Sequence, residues 1–152
     1  MHVLIVCSGN TCRSPMAEVA LRRLLDSSGR DDIRVSSAGT GAYQGSPASE
    51  GAYLVALEEG LDLTPHRARL LDEHLVRQAD LILTMGRGHL ARVERLGGVG
   101  KSYLLGEYSG AGPTAEVRDP FGGEVEGYRE TLHQICGMLD GVRDRLLSTD
   151  PS

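Results

Sequence analysis

Cys7 and Arg13 close the two ends of a small, polar segment, Cys7-Ser8-Gly9-Asn10-Thr11-Cys12-Arg13. Between a strand and a helix, such a segment can bind and attack a phosphoryl group. The backbone N–H groups of so short a loop can turn inward together and cradle an anion. A helix starting just beyond adds unpaired N–H groups and the positive end of its dipole. Arg13 supplies a planar fork of donors that matches two phosphoryl oxygens. Cys7 lies at the base of the cradle, where the positive field is expected to lower its pKa from near 8.5 toward roughly 3.5–7.5. A thiolate behind a bound phosphoryl group is a nucleophile for phosphoryl transfer. The bare pattern is not specific, because the chain is rich in arginine and has three cysteines. The same residues also suit a tight strand-to-helix turn with a buried cysteine and a surface arginine.

The flanking elements decide how this loop is held. His2 to Val6 is a continuous apolar run, as expected of a strand buried on both faces of a parallel sheet. Ser14-Pro15 reads as an N-cap followed by proline at the first helical position. A helix is expected from Pro15 to about Ser27, with Met16, Val19, Ala20 and Leu24 inward. Further strands are expected at Ile33–Ser37, Asp80–Thr84 and Tyr103–Leu105, and helices at Ser49–Gly60, Asp72–Ala79 and Gly88–Leu96. Thr64-Pro65 begins a turn or short helix. Ala38–Ala48 reads as a loop, and Gly106–Gly123 as a long irregular segment of the kind that is usually functional. A last helix, about Glu124 to Leu147, carries Val125, Tyr128, Leu132, Ile135, Leu139, Val142 and Leu146 on one face. Strands alternating with helices predict a parallel α/β sheet. In such sheets ligands bind at the carboxyl ends of the strands, and Cys7 ends the first.

Composition bounds the rest. The 152 residues fit one domain, 1–152. Lys101 is the only lysine among 16 basic residues. With 40% hydrophobic and 24% charged residues the chain reads as globular. A net charge of −5 argues against a general nucleic-acid binder. No apolar run approaches a membrane span, so no membrane partner is expected. Three cysteines are too few for a disulfide scaffold, and a reducing cytoplasm fits them best. No metal is expected, because no second ligand pair has suitable spacing. Gly100-Lys101-Ser102 is like the end of a nucleotide-binding P-loop, but Arg95 stands where that motif needs glycine, and the expected strand and helix come in the reverse order.

Val6-Cys7-Ser8-Gly9-Asn10-Thr11-Cys12-Arg13-Ser14-Pro15-Met16-Ala17-Glu18 resembles the signature of the low-molecular-weight protein tyrosine phosphatase family. Val35–Thr40, Pro65–Arg69, Ala79–Met85 and Asp119-Pro120-Phe121-Gly122-Gly123 resemble the same family, in order. The resemblance implies a three-layer fold with a small four-stranded parallel sheet flanked by helices. It implies that Cys7 forms a phosphocysteine, that Arg13 holds the phosphoryl oxygens together with residues 8–12, and that Asp119 is the general acid and base. Asn10, Ser14, Ser37 and His66 would hold the loop in shape, Ser14 would also donate a hydrogen bond to the Cys7 thiolate, and Tyr43 and Phe121 would wall the cleft. No cofactor is implied, and phosphorylated proteins are the implied partners; the oligomeric state is left open.

Two features differ from the tyrosine-specific pattern. Thr11 stands where those enzymes usually carry an aliphatic residue, and Phe121-Gly122-Gly123 where they often carry a tyrosine pair. Both resemble the bacterial protein-arginine-phosphatase branch, so phosphoarginine is the favoured substrate and phosphotyrosine the alternative. Arsenate reductases share the loop type but relay a disulfide through further cysteines. Here these are only Cys12 and Cys136, and Cys136 falls near an apolar helix face. A catalytically silent phosphate-binding protein is the remaining alternative. Cys7 and Cys12, five apart on one loop, are a candidate reversible disulfide that would protect Cys7 from irreversible oxidation.

Overall fold

The computed structural model describes residues 1–113 and 115–148; the last four positions of the expected 1–152 domain lie outside the described residues. Four strands pair in parallel in the order β2-β1-β3-β4: β1 His2–Cys7, β2 Arg34–Gly39, β3 Leu81–Thr84 and β4 Ser102–Leu104. The helices are α1 Arg13–Ser27, α2 Glu50–Glu58, α3 Glu73–Gln78, α4 Arg87–Val93, α5 Leu105–Ser109 and α6 Val125–Ser148.

The period of two along β1 sorts the molecule into layers. Val3, Ile5 and Cys7 face a core built from α1, α2 and α6, with Met16, Leu21, Val55, Leu132, Ile135 and Leu139 fully buried. Leu4 and Val6 face a smaller core with Leu71, Val76, Ile82 and Val93 on the side of α3 and α4. The expected four-stranded, three-layer α/β arrangement is what forms. Among the described residues no helix is long and apolar enough to cross a membrane.

Several local expectations are corrected. α1 begins at Arg13, with Cys12 in the N-cap position and no side-chain cap, so Ser14 lies inside the first turn. The inward stripe of α1 is Met16, Ala17, Ala20, Leu21 and Leu25, while Val19 and Leu24 are only partly buried. Val125 is exposed at the start of α6, where Thr131 and Met138 are buried instead. The segment after β4 is not wholly irregular: α5 makes one short turn closed by Gly110 in the left-handed conformation, too short to show a period. The helix from residue 87 passes into a wide π turn, Glu94–Gly98, where Gly97 has φ of 103°.

The strand order places a topological switch at β1, because the chain leaves it toward β2 and later returns on its other side as β3. Loops from the two sides therefore diverge at the carboxyl end of β1 and open a crevice there.

Candidate active site

Segments that follow β1, β2 and β4 line that crevice. A cleft of about 490 Å3 is lined by Cys7 to Gly9 and Thr11 to Arg13 after β1, by Thr40, Gly41, Tyr43 and Ser46 after β2, and by Asp119 and Phe121 from the segment beyond β4. His89, after β3, stands beside it, bonded to Ser8. The loop rests directly on the neighbouring strand: Thr40 N–H donates to Cys7 O and Gly41 N–H to Ser8 O, both at 2.9 Å. Gly39 makes this possible, since a Cβ there would overlap Ser8 O and Asn10 N.

Asn10 shapes the loop. Its φ of 56° is left-handed, a conformation costing most residues about 1–2 kcal/mol and asparagine less. Every polar group it has is used. Its N–H reaches Cys7 Sγ at 3.3 Å. Its carbonyl accepts from His66 Nε2 at 2.6 Å, which places the His66 proton on Nε2. Oδ1 accepts from Arg69 N–H at 2.9 Å, which identifies the other side-chain atom as the amide nitrogen. Nδ2 then donates to Ser14 Oγ at 2.8 Å and Ser37 Oγ at 2.9 Å. Ser37 passes its own hydrogen to Glu18 Oε1 at 2.6 Å.

The direction of these bonds matters more than their number. Because Ser14 Oγ accepts from Asn10, its hydroxyl hydrogen is free to point at Cys7 Sγ, 2.9 Å away. The chain from Glu18 through Ser37, Asn10 and Ser14 thus delivers a hydrogen-bond donor to the sulfur. This explains why Ser14 is not a helix cap: its hydroxyl is committed to the cysteine.

The balance at Cys7 differs from the expected depression. Burial is the largest influence and pushes the thiol up from its ordinary value; the Ser14 hydroxyl and backbone, then Arg13 and the Asn10 N–H, pull it down. The sulfur belongs to the α1–α6 side of the core, a setting that the positive loop only partly offsets.

Arg13 is buried and oriented by Val117 O, which accepts from Nη1 at 2.9 Å. Its Nη2 lies 3.6 Å from Asp119 Oδ2 and 3.5 Å from Ser8 Oγ. Asp119 is half exposed, and its Oδ1 accepts from Phe121 N–H at 3.0 Å, leaving Oδ2 toward the arginine. The acid-bearing segment is pinned on both sides. Val117 N–H donates to Met85 O at 2.8 Å, Glu116 Oε2 accepts from Arg87 N–H at 2.9 Å, and Gln134 Nε2 donates to Glu116 O.

The structure therefore brings Cys7, Arg13 and Asp119 to one cleft, with Thr11, Tyr43 and Phe121 along its walls. Asn10, Ser14, Ser37 and His66 meet behind the loop. Tyr43 and Phe121 are 85% and 71% exposed, so they flank the mouth rather than fill the floor. Cys12 Sγ contacts Ser49 Oγ at 3.1 Å, and Cys136 packs against the core at the edge of α6. Lys101 donates to Val76 O and Ala79 O, securing the end of α3, so Gly100-Lys101-Ser102 is a structural turn. Among the described residues, no group of three His, Cys, Asp or Glu side chains could hold a metal.

Glu18, Glu116 and His89 were not singled out from the sequence. Glu18 lay inside the quoted signature, but its partner Ser37 is 19 residues away. His89 had no local signal, because its partner Ser8 is 81 residues away.

Residues 2–148 match the family model described as low molecular weight phosphotyrosine protein phosphatase. A protein-arginine-phosphatase of Geobacillus stearothermophilus is 35% identical over 147 residues, 95% of each chain. The low molecular weight protein-tyrosine-phosphatase Wzb of Escherichia coli is 38% identical over 141 residues, 91% of this chain and 88% of that one. Among solved structures, a cysteine-to-serine variant of the YwlE arginine phosphatase, with a phosphorylated active-site serine, aligns with a TM-score of 0.89. It shows 31% identity over 99% of this chain and 98% of that one.

Proposed function

The chain belongs to the low molecular weight phosphotyrosine protein phosphatase family, and from that membership we propose that it hydrolyses phosphoarginine on proteins through a phosphocysteine at Cys7. At the coarser level it is a cysteine-dependent protein phosphatase, a hydrolase. The observation that carries the finer reading is the meeting of Cys7, Thr11, Arg13 and Asp119 in one cleft.

In this reading Cys7 attacks phosphorus as the thiolate, and an S–P bond forms as the bond to the leaving group breaks. Ser14, the Asn10 N–H and Arg13 oppose the burial that disfavours that thiolate. Ser8 to Arg13 and the start of α1 hold the phosphoryl oxygens, and Arg13 stabilises their charge in the transition state. Asp119 gives its proton to the leaving nitrogen or oxygen. It then takes one from the water that attacks phosphorus, the S–P bond breaks, and inorganic phosphate leaves. Arginine and backbone dipoles supply the positive charge, so the route calls for no cofactor or metal. The chain acts as one catalytic domain, 1–152, on phosphorylated proteins.

Thr11 and the Phe121-Gly122-Gly123 run support arginine over tyrosine. Threonine is compact and offers a hydroxyl to a polar leaving group. Once Asp119 has given up its proton, its carboxylate faces a guanidinium cation, a favourable pairing. The relatives include both arginine and tyrosine phosphatases. Comparing kcat/KM on phosphoarginine and phosphotyrosine peptides decides between them. Wild type is expected to prefer phosphoarginine, and Thr11→Ile to shift the ratio toward phosphotyrosine about tenfold or more. A wild-type preference for phosphotyrosine overturns the arginine reading.

We also propose residence in a reducing cytoplasm, supported by a cysteine count too small for a disulfide scaffold, and redox protection through Cys7 and Cys12. After peroxide inactivation, thiols should restore the wild type but not Cys12→Ser. Equal recovery of the two proteins contradicts the disulfide.

A further inference from the structure

His89 projects from α4 to the rim of the cradle, where its Nε2 lies 2.8 Å from Ser8 Oγ. The same oxygen is 3.5 Å from Arg13 Nη2. The other ring nitrogen, Nδ1, is buried and has no hydrogen-bond partner among the described residues. Burial, then Arg13, push the His89 pKa down to about 4, against the smaller pull of Asp119 and Glu116. The ring is therefore neutral near pH 7 and carries a single N–H.

Which nitrogen holds it follows from the surroundings. An N–H on Nδ1 would be a buried donor with nothing to receive it, which is rare and costly. On Nε2 the same proton is donated to Ser8 Oγ, and Nδ1 keeps only a lone pair. Ser8 Oγ then accepts from both His89 and Arg13, so its one hydrogen has to be given elsewhere. Ser8 lines the same cleft as Cys7, where a phosphoryl oxygen would accept it.

We propose that His89 is a positioning residue for phosphoryl transfer: its Nε2–H fixes Ser8 Oγ as an acceptor and so turns the Ser8 hydroxyl into a donor to the phosphoryl group. The proposal rests on the reading of the Cys7 loop as the phosphoryl site. It adds a side-chain donor beside the backbone amides and ties α4 to the loop after β1.

The test combines nitrogen NMR of the wild-type ring with kinetics. At pH 7 the His89 Nε2 signal should show a bound proton and Nδ1 should not. His89→Leu keeps bulk but loses the donor, and should weaken inorganic phosphate inhibition and lower kcat/KM for an aryl phosphate roughly 3- to 10-fold. His89→Gln, which retains an N–H at the equivalent reach, should recover most of the loss. In a Ser8→Ala background His89→Leu should cost nothing further. A ring protonated on Nδ1, or an equal cost of His89→Leu with and without Ser8, overturns the proposal. The NMR result stands even if the leucine variant fails to fold. If wild type neither binds phosphate nor turns over aryl phosphate, the phosphatase reading itself fails; an active wild type insensitive to His89 contradicts this proposal alone.

Discussion

Cys7→Ser is expected to reduce turnover by at least about 10⁴-fold while leaving phosphate binding nearly intact. The two halves of that result have different causes. A serine hydroxyl holds its proton far more tightly than a thiol, so Ser14 and Asn10 at 2.9 Å and 3.3 Å would have no anion to stabilise. The cradle does not depend on the sulfur. Asn10 is held by Ser14, Ser37, His66 and Arg69, and Arg13 by Val117 O. Steady-state rates on an aryl phosphate and calorimetric titration with inorganic phosphate check both halves. Substantial residual turnover would place the nucleophile elsewhere, and lost phosphate binding would show that the loop needs the thiolate to keep its shape.

Asp119→Asn should lower kcat by about 10²- to 10⁴-fold on phosphorylated side chains, with a smaller loss on an aryl phosphate whose leaving group departs without a proton. The amide keeps the size of the carboxyl and can still accept from Phe121 N–H, so the segment's turn survives. It lacks the proton to give. The neighbouring Arg13, 3.6 Å away, also loses its ion partner, which is partly exposed and so contributes little to stability. Thermal melting should therefore change little while the leaving-group dependence steepens. Equal losses on good and poor leaving groups would assign Asp119 a binding role instead of proton transfer.

The strand, loop and helix around Cys7 were legible in the sequence because each has a local cause. Val3 to Val6 is apolar without interruption, residues 8–12 are small, and the helix that follows has a buried stripe. The hydrogen bond from Ser14 to Cys7 was legible, both residues lying in one short motif, but the capping role of Ser14 was not borne out, because α1 begins one residue before it, at Arg13. What stayed hidden depends on partners distant along the chain. The lowered thiol pKa inferred from the loop's positive field missed the burial of Cys7 against α1 and α6. Gly39, read only as part of a motif, proves to be the point where β2 lets the loop pass. His89 and Glu116 are brought to the site by β3 and by the segment after α5, and only the sheet order puts those beside β1.

Acid-quenching Asp119→Asn during turnover of an activated aryl phosphate, followed by peptide mass spectrometry, tests the covalent route most directly. Without the base that activates water, the intermediate should accumulate, and the peptide holding Cys7 should carry one phosphoryl group on sulfur. Release of phosphate with Cys7 unmodified at every time point, or a phosphoryl group on another side chain, would contradict the account.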